Sequence, residues 1–201
     1  GEHRIVKSGD YTWKSSLENG VWTYHMEDVQ TGLRTAIRNL GELPGAVSAM
    51  GISGMMHGYL AFDKDWNLLA PFRTWQNTMT GEAAEQLTAE FGFNIPQRWS
   101  IAHLYQAVLN GEAHVKNIAH ITTLAGYVHY LLTGENVLGV GEASGMFPID
   151  SETLDYDAAM LEKFDALLAK YGFAWTARSV LPKGLMAGQA AGKLTQAGGT
   201  F

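Results

Sequence analysis

Ala46-Val47-Ser48-Ala49-Met50-Gly51-Ile52-Ser53-Gly54-Met55-Met56-His57-Gly58 begins as an apolar run and ends as a glycine-rich loop. Ala46 to Ser53 is too short for a globular helix and mostly apolar, which predicts a strand buried on both faces. Glycines at such a strand end let backbone approach a ligand closely, and ligands of open α/β sheets bind at strand ends. Tyr59 to Phe62 reads as a second extended piece, closed by an Asp63-Lys64-Asp65-Trp66-Asn67 turn and continued by Leu68-Leu69. Residues 46–70 are therefore expected to form a strand pair around the glycine loop.

Helix signals surround this pair. Val29, Leu33, Ile37 and Leu40 share one helical face that starts near Glu27 and stops at Gly41, before a Leu43-Pro44-Gly45 break. Upstream, His3 to Val6 and the Trp13 region read as short extended pieces, with turns at Ser8-Gly9-Asp10 and Glu18-Asn19-Gly20. Downstream, helices are expected over 81–91, 100–110, 123–132 and 156–171, each followed by its own glycine stop signal. The last presents Met160, Phe164, Leu167, Leu168 and Tyr171 as a core-facing stripe. Strands mixed with packed helices, without a dividing linker or repeat, indicate an α/β fold.

Composition narrows the function classes. The 201 residues are 46% hydrophobic and 17% charged, a globular balance. Net charge is −6 and the basic residues do not cluster, which argues against a nucleic-acid partner. The absence of cysteine removes disulfides, thiolate metal sites and a cysteine nucleophile, and fits a reducing, cytoplasmic setting. No apolar run approaches a membrane span, and Gly1-Glu2-His3-Arg4 has no signal-like apolar core. The chain has 23 glycines against 5 prolines, and several of the glycines crowd into residues 51–58 and 139–145, where loops use them better than helices would.

Three blocks could carry chemistry. In the first, His57 presents an imidazole able to exchange a hydrogen bond with a hydroxyl; the plainer alternative is a satisfied loop histidine beside a gap-filling Met56. The second, Pro71-Phe72-Arg73-Thr74-Trp75-Gln76-Asn77-Thr78, sets an indole among amides and hydroxyls. That combination suits a carbohydrate, whose C–H face packs on a ring while its hydroxyls need donors and acceptors; a capped loop with a core tryptophan is the alternative. The third, Gly139 to Asp150, holds Glu142 as a carboxylate among small and apolar residues, and packing alone could explain it. His114, His120 and His129 lack zinc-ligand spacing. Ser53 lacks a nucleophile elbow, and no Gly-x-x-x-x-Gly-Lys-Ser/Thr phosphate loop is present.

In order as well as in wording, these blocks resemble the FGGY carbohydrate kinases, with the nearest likeness to the xylulokinase-like branch. Ile52-Ser53-Gly54-Met55-Met56-His57-Gly58 is similar to that branch's sugar loop, and Pro71 to Thr80 to the block that follows it. Leu132-Thr133-Gly134-Glu135, Glu142-Ala143-Ser144-Gly145-Met146 with Ile149-Asp150, then Asp155-Tyr156, Met160-Leu161 and Leu181-Pro182 continue the pattern over nearly the whole chain.

The resemblance implies an actin-like, ribonuclease H-like α/β fold, with residues 1–201 forming most of the N-terminal, sugar-binding domain. It implies ATP-dependent phosphorylation of a sugar, a xylulose-type ketopentose or a related polyol, using ATP and Mg²⁺ in the full-length protein. Met56, His57 and Gly58 would meet the sugar, with Trp75 nearby and Gln76 and Asn77 as polar wall. The family's opening Asp-x-Gly-Thr hairpin would precede Gly1, and the catalytic aspartate would lie beyond Phe201. No catalytic, cofactor-binding or metal-binding residue is thus expected in the chain itself, nor turnover from it alone. The implied partner is a small sugar or polyol, without nucleic acid or membrane, and a homodimer is admitted. A noncatalytic actin-like module that binds a sugar or a partner is the other reading.

Substrate choice is where the pattern departs. Met55 stands where glutamine is usual, the Trp75 block lacks the Asp and Arg of Trp-x-Asp-x-Arg, and His103 and Gln106 replace Lys and Trp. Glu142 replaces Asp or Asn.

Overall fold

The computed structural model describes residues 4–43 and 45–200. His3 of the first expected extended piece and Pro44 of the expected break lie outside them. The first regular element is a hairpin of β1 (Ser16–Glu18) and β2 (Val21–Thr23), with Leu17 opposite Trp22. Its turn is Asn19-Gly20, both at positive φ, the conformation that matches the right-handed twist of a two-residue hairpin. The extended pieces expected upstream form no ladder among the described residues.

Helix α1 (Met26–Leu40) carries Glu27 and Asp28 in its first turn and Arg38 in its last, the polarity its dipole favours. Val29 and Gly32 are buried; a side chain at Gly32 would collide with the Trp13 ring, which packs directly on the helix backbone. Ile37, on the same predicted face, is exposed.

Strand β3 (Leu60–Phe62) is fully buried and pairs antiparallel with β4 (His120–Thr122), Ala61 facing Ile121. The expected pairing of residues 46–53 with the Tyr59 piece is therefore corrected. Residues 46–51 form no regular element and are exposed, and no strand among the described residues pairs with them. A strand is buried only where neighbouring ladders satisfy its N–H and C=O groups, and here none does. The Asp63–Asn67 turn does form, with Asp63 accepting from the Asp65 and Asn67 amides, and it returns the chain to a Phe62–Leu68 bridge.

Helices α2 (Gly81–Phe91), α3 (Ser100–Leu109) and α4 (Leu124–Thr133) follow the expected spans to within a residue or two. Strand β5 (Val137–Gly139) leads into the short helix α5 (Val140–Ala143). Helix α6 (Ala158–Leu168) then continues as a 3₁₀ turn to Tyr171. Helix α7 (Ala177–Val180) precedes β6 (Lys183–Leu185), which pairs parallel with β5. Of the predicted α6 stripe, Phe164 and Leu168 are buried while Tyr171 lies at the surface.

The larger core gathers α2, α3, α6 and α7 around Tyr59, Ile121, Met146 and Phe147. A smaller one joins Val29 of α1 to Leu60, Phe62, Phe72, Leu124 and Tyr127. Because Tyr59 and Leu60 point to different cores, the short β3 segment lies between both.

Candidate functional site

Tyr59 and Arg73 form an isolated antiparallel bridge, exchanging N–H···O bonds of 2.8 and 3.2 Å. The pairing stops there, because Gly58 and His57 turn left-handed on one side and Trp75 enters a turn on the other. One bridge thus brings together the two blocks singled out in the sequence.

Gly58 is the pivot. Its N–H donates to the Arg98 carbonyl (3.2 Å), and its own carbonyl accepts from Ser100 Oγ (2.6 Å) at the start of α3. Its φ of 100° and the 2.9 Å that a Cβ would leave to the Arg73 carbonyl both require glycine. His57, at φ 74°, is held in the left-handed region that a side chain normally avoids. Its Nδ1 lies 3.2 Å from the Gly145 carbonyl. A carbonyl only accepts, so Nδ1 carries the proton and Nε2 is left as an acceptor. Burial holds the imidazole below its usual pKa, opposed by the Gly145 bond and reinforced by the Arg98 cation, which keeps it neutral. A neutral imidazole with a free acceptor nitrogen suits a hydroxyl hydrogen.

Trp75 exposes half of its surface and Met56 about a third, while Gln76 is half-buried. Asn77 is placed differently from a wall residue. It is 4% exposed, its Oδ1 accepts from the Trp22 amide, and its Nδ2 donates to the carbonyls of Trp22 and Thr74. Asn77 stands behind Trp75 and Gln76 as a brace for the β1–β2 hairpin.

Beneath the bridge lies a buried polar cluster. Arg73 pairs with Glu112 and sits 5.4 Å over the Tyr59 ring, whose hydroxyl meets His114 Nε2 at 2.8 Å. His103 is fully buried, stacks on Tyr59 and has no hydrogen-bond partner at either ring nitrogen; burial, with Arg73 adding to it, pushes its pKa down to about 3. Below the usual value of 6.5 the unfolded chain takes up a proton there that the folded chain refuses. Stability is therefore complete above about pH 6.5 and is lost as pH falls from there toward about 3. His103→Phe keeps the stack and removes the proton, so the fall in urea-unfolding free energy between pH 6 and 4 is expected to shrink by about 1.4 kcal/mol per pH unit.

Arg98, Ser100 and Gly145 are not among the site residues read from the sequence, since Arg98 acts through its carbonyl, Ser100 through a hydroxyl bonded to the Gly58 backbone, and Gly145 through its carbonyl and its missing side chain. Among the described residues no three His, Asp or Glu side chains gather to hold a metal ion. No described helix is long and apolar enough to cross a membrane.

A profile described as "FGGY family of carbohydrate kinases, N-terminal domain" matches residues 8–198. The chain belongs to the FGGY family of carbohydrate kinases. Among the relatives of this FGGY chain, a glycerol kinase of Thermococcus kodakarensis is 26% identical over 181 residues, covering 82% of the chain and 36% of the relative. A xylulose kinase structure from Rhodospirillum rubrum superposes with a TM-score of 0.76 at 20% identity, over 92% of this chain and 39% of that one. Plasmodium falciparum glycerol kinase with ADP gives 0.77 at 17% identity, over 98% and 42%. The FGGY chain thus has the actin-like, ribonuclease H-like fold and spans little more than a third of its relatives' length.

Proposed function

We propose that the full-length protein transfers a phosphoryl group from ATP to a hydroxyl of a small sugar or polyol, and that this chain supplies most of the sugar-binding half. The reading is supported by the Tyr59–Arg73 bridge, which joins the block of His57, whose Nε2 is left to accept, to the block of the exposed Trp75 indole. Met56, His57 and Gly58 would line one side of the sugar, with Trp75 and Gln76 on the other and Asn77 behind them. Phosphoryl transfer rests largely on positioning and charge neutralisation, and this chain's share is the positioning. ATP, Mg²⁺ and the catalytic aspartate are assigned to the rest of the protein.

The relatives include glycerol and xylulose kinases, so a triol and a ketopentose are the two acceptors to compare first. In an ADP-release assay of the full-length protein, one of glycerol and D-xylulose is expected to stimulate turnover. His57→Ala is expected to raise the KM for that acceptor about tenfold, the loss of one hydrogen bond of roughly 1.4 kcal/mol, while the KM for ATP stays unchanged. Acceptor-independent ADP release would contradict the reading, and an unchanged acceptor KM would remove His57 from the site. Acceptor binding without any turnover would favour the noncatalytic module instead.

A further inference from the structure

Of the two carboxylates in the third sequence block, Asp150 accepts the Glu152 and Thr153 amides, whereas the sugar-site reading leaves Glu142 without a task. It lies in α5 and lines a cavity of about 520 Å³ whose other walls include Gly51, Ile52, His129 and Gln189. Its Oε1 is buried and has no hydrogen-bond partner. Burial raises its carboxyl pKa, and the nearby Thr123 hydroxyl, which already caps α4, offsets the rise only in part. No lysine or arginine lines the cavity. A half-buried carboxylate without a counter-charge is costly to keep, and such costs collect at binding sites.

The remaining polar lining says what would satisfy it. Gln189 accepts the Met186 amide through Oε1, leaving its Nε2 to donate into the cavity. His129 Nε2 donates to the Ala191 carbonyl, leaving Nδ1 to accept. A ligand that meets two acceptors and a donor together must itself both donate and accept, as hydroxyl groups do and as an ammonium ion or bare cation does not. Gly51, Gly139 and Gly141 have no heavy atom within 4 Å of where a Cβ would stand, so the floor there is open backbone. One turn carries both groups, for the Gly145 N–H donates to the Glu142 carbonyl at 3.1 Å while the Gly145 carbonyl faces His57.

We propose that Glu142 is a specificity-determining residue of the sugar site, its carboxylate accepting hydrogen bonds from substrate hydroxyls that extend past His57 into this cavity. The proposal rests on the sugar-binding reading above and not on phosphoryl transfer. The test is binding to the full-length protein, read by calorimetry with glycerol and D-xylulose, alongside melting temperature without ligand. Glu142→Gln keeps the shape and removes the charge. It is expected to weaken the better-bound polyol at least tenfold and leave ATP affinity unchanged, while the ligand-free melting temperature holds or rises as the unpaired charge disappears. Glu142→Asp, which retains the charge one methylene further back, is expected to lose less and serves if Glu142→Gln does not fold. Polyol affinity within twofold of wild type in the folded variants would overturn the proposal, as would wild-type protein that binds neither polyol. Wild-type protein that binds a polyol but releases no ADP would refute the kinase reading and leave the test of Glu142 intact.

Discussion

Gly145→Ala in the full-length protein is expected to raise the sugar KM more than tenfold, because it displaces Met56 as well as the His57 imidazole, whose hydrogen bond alone is worth about tenfold. A Cβ at Gly145 would lie 2.7 Å from His57 Nδ1, 2.9 Å from His57 Cε1 and 2.9 Å from Met56 Cγ. No Cβ tolerates such approaches, so the imidazole and the thioether must both swing out, and the bond that fixes the His57 tautomer goes with them. The fold has less at stake. Gly145 is not at positive φ, so alanine fits its backbone, and the displaced side chains are part-exposed and free to move outward. The melting temperature and the KM for ATP are expected to stay near wild type while the sugar KM rises. A fall in melting temperature with an unmoved sugar KM would show that Gly145 serves packing alone.

Phe147→Ala is expected to remove about 3–5 kcal/mol of unfolding free energy, measured by urea titration. Phe147 is fully buried and meets Phe91, Tyr156 and Phe164 at centroid distances of 5.7, 6.2 and 6.3 Å, two of these edge-to-face. Truncation deletes the ring through which α2, α6 and the 146–156 segment touch, and a junction among three elements cannot collapse to fill the hole. A domain is stable by only about 5–15 kcal/mol, so the loss is a large fraction of the total. Phe147→Leu, which leaves a smaller void, is expected to cost less than half as much. The neighbouring Met146 carbonyl accepts the Ile101 amide, so loosening here also reaches α3, which holds Gly58.

The helices could be read from the sequence because their signals are local. A run such as Gly81 to Phe91 carries its apolar spacing and its left-handed stop at Gly92 within a dozen residues. The ladders could not be read in the same way. Leu60–Phe62 finds its partner at His120–Thr122, and nothing near Leu60 says so. The apolar character of Ala46 to Ser53 was real, but burial depends on neighbours that local sequence does not name. The site divides along the same line. His57 and Trp75 stood out because their chemistry is unusual in a loop, whereas Gly145 acts on His57 from 88 residues away. Asn77 looked like a wall amide because a buried, fully bonded asparagine and an exposed one are the same letter.

The loop that carries His57 is anchored asymmetrically. Downstream of His57, Gly58 and Tyr59 are fastened to Arg98, Ser100 and Arg73. Upstream, residues 46–51 enter no ladder, and Met50, Gly51 and Ile52 border both the Glu142 cavity and a second, apolar one of about 570 Å³ against α1 and α4. Mechanically this is a cantilever, clamped at Gly58 and free at its root. Gly54 lies against the start of α4, where a Cβ would stand 3.1 Å from the Ala125 nitrogen, so the aim of His57 is set by the clamp at Gly58 and by that close approach rather than by the 46–52 stretch.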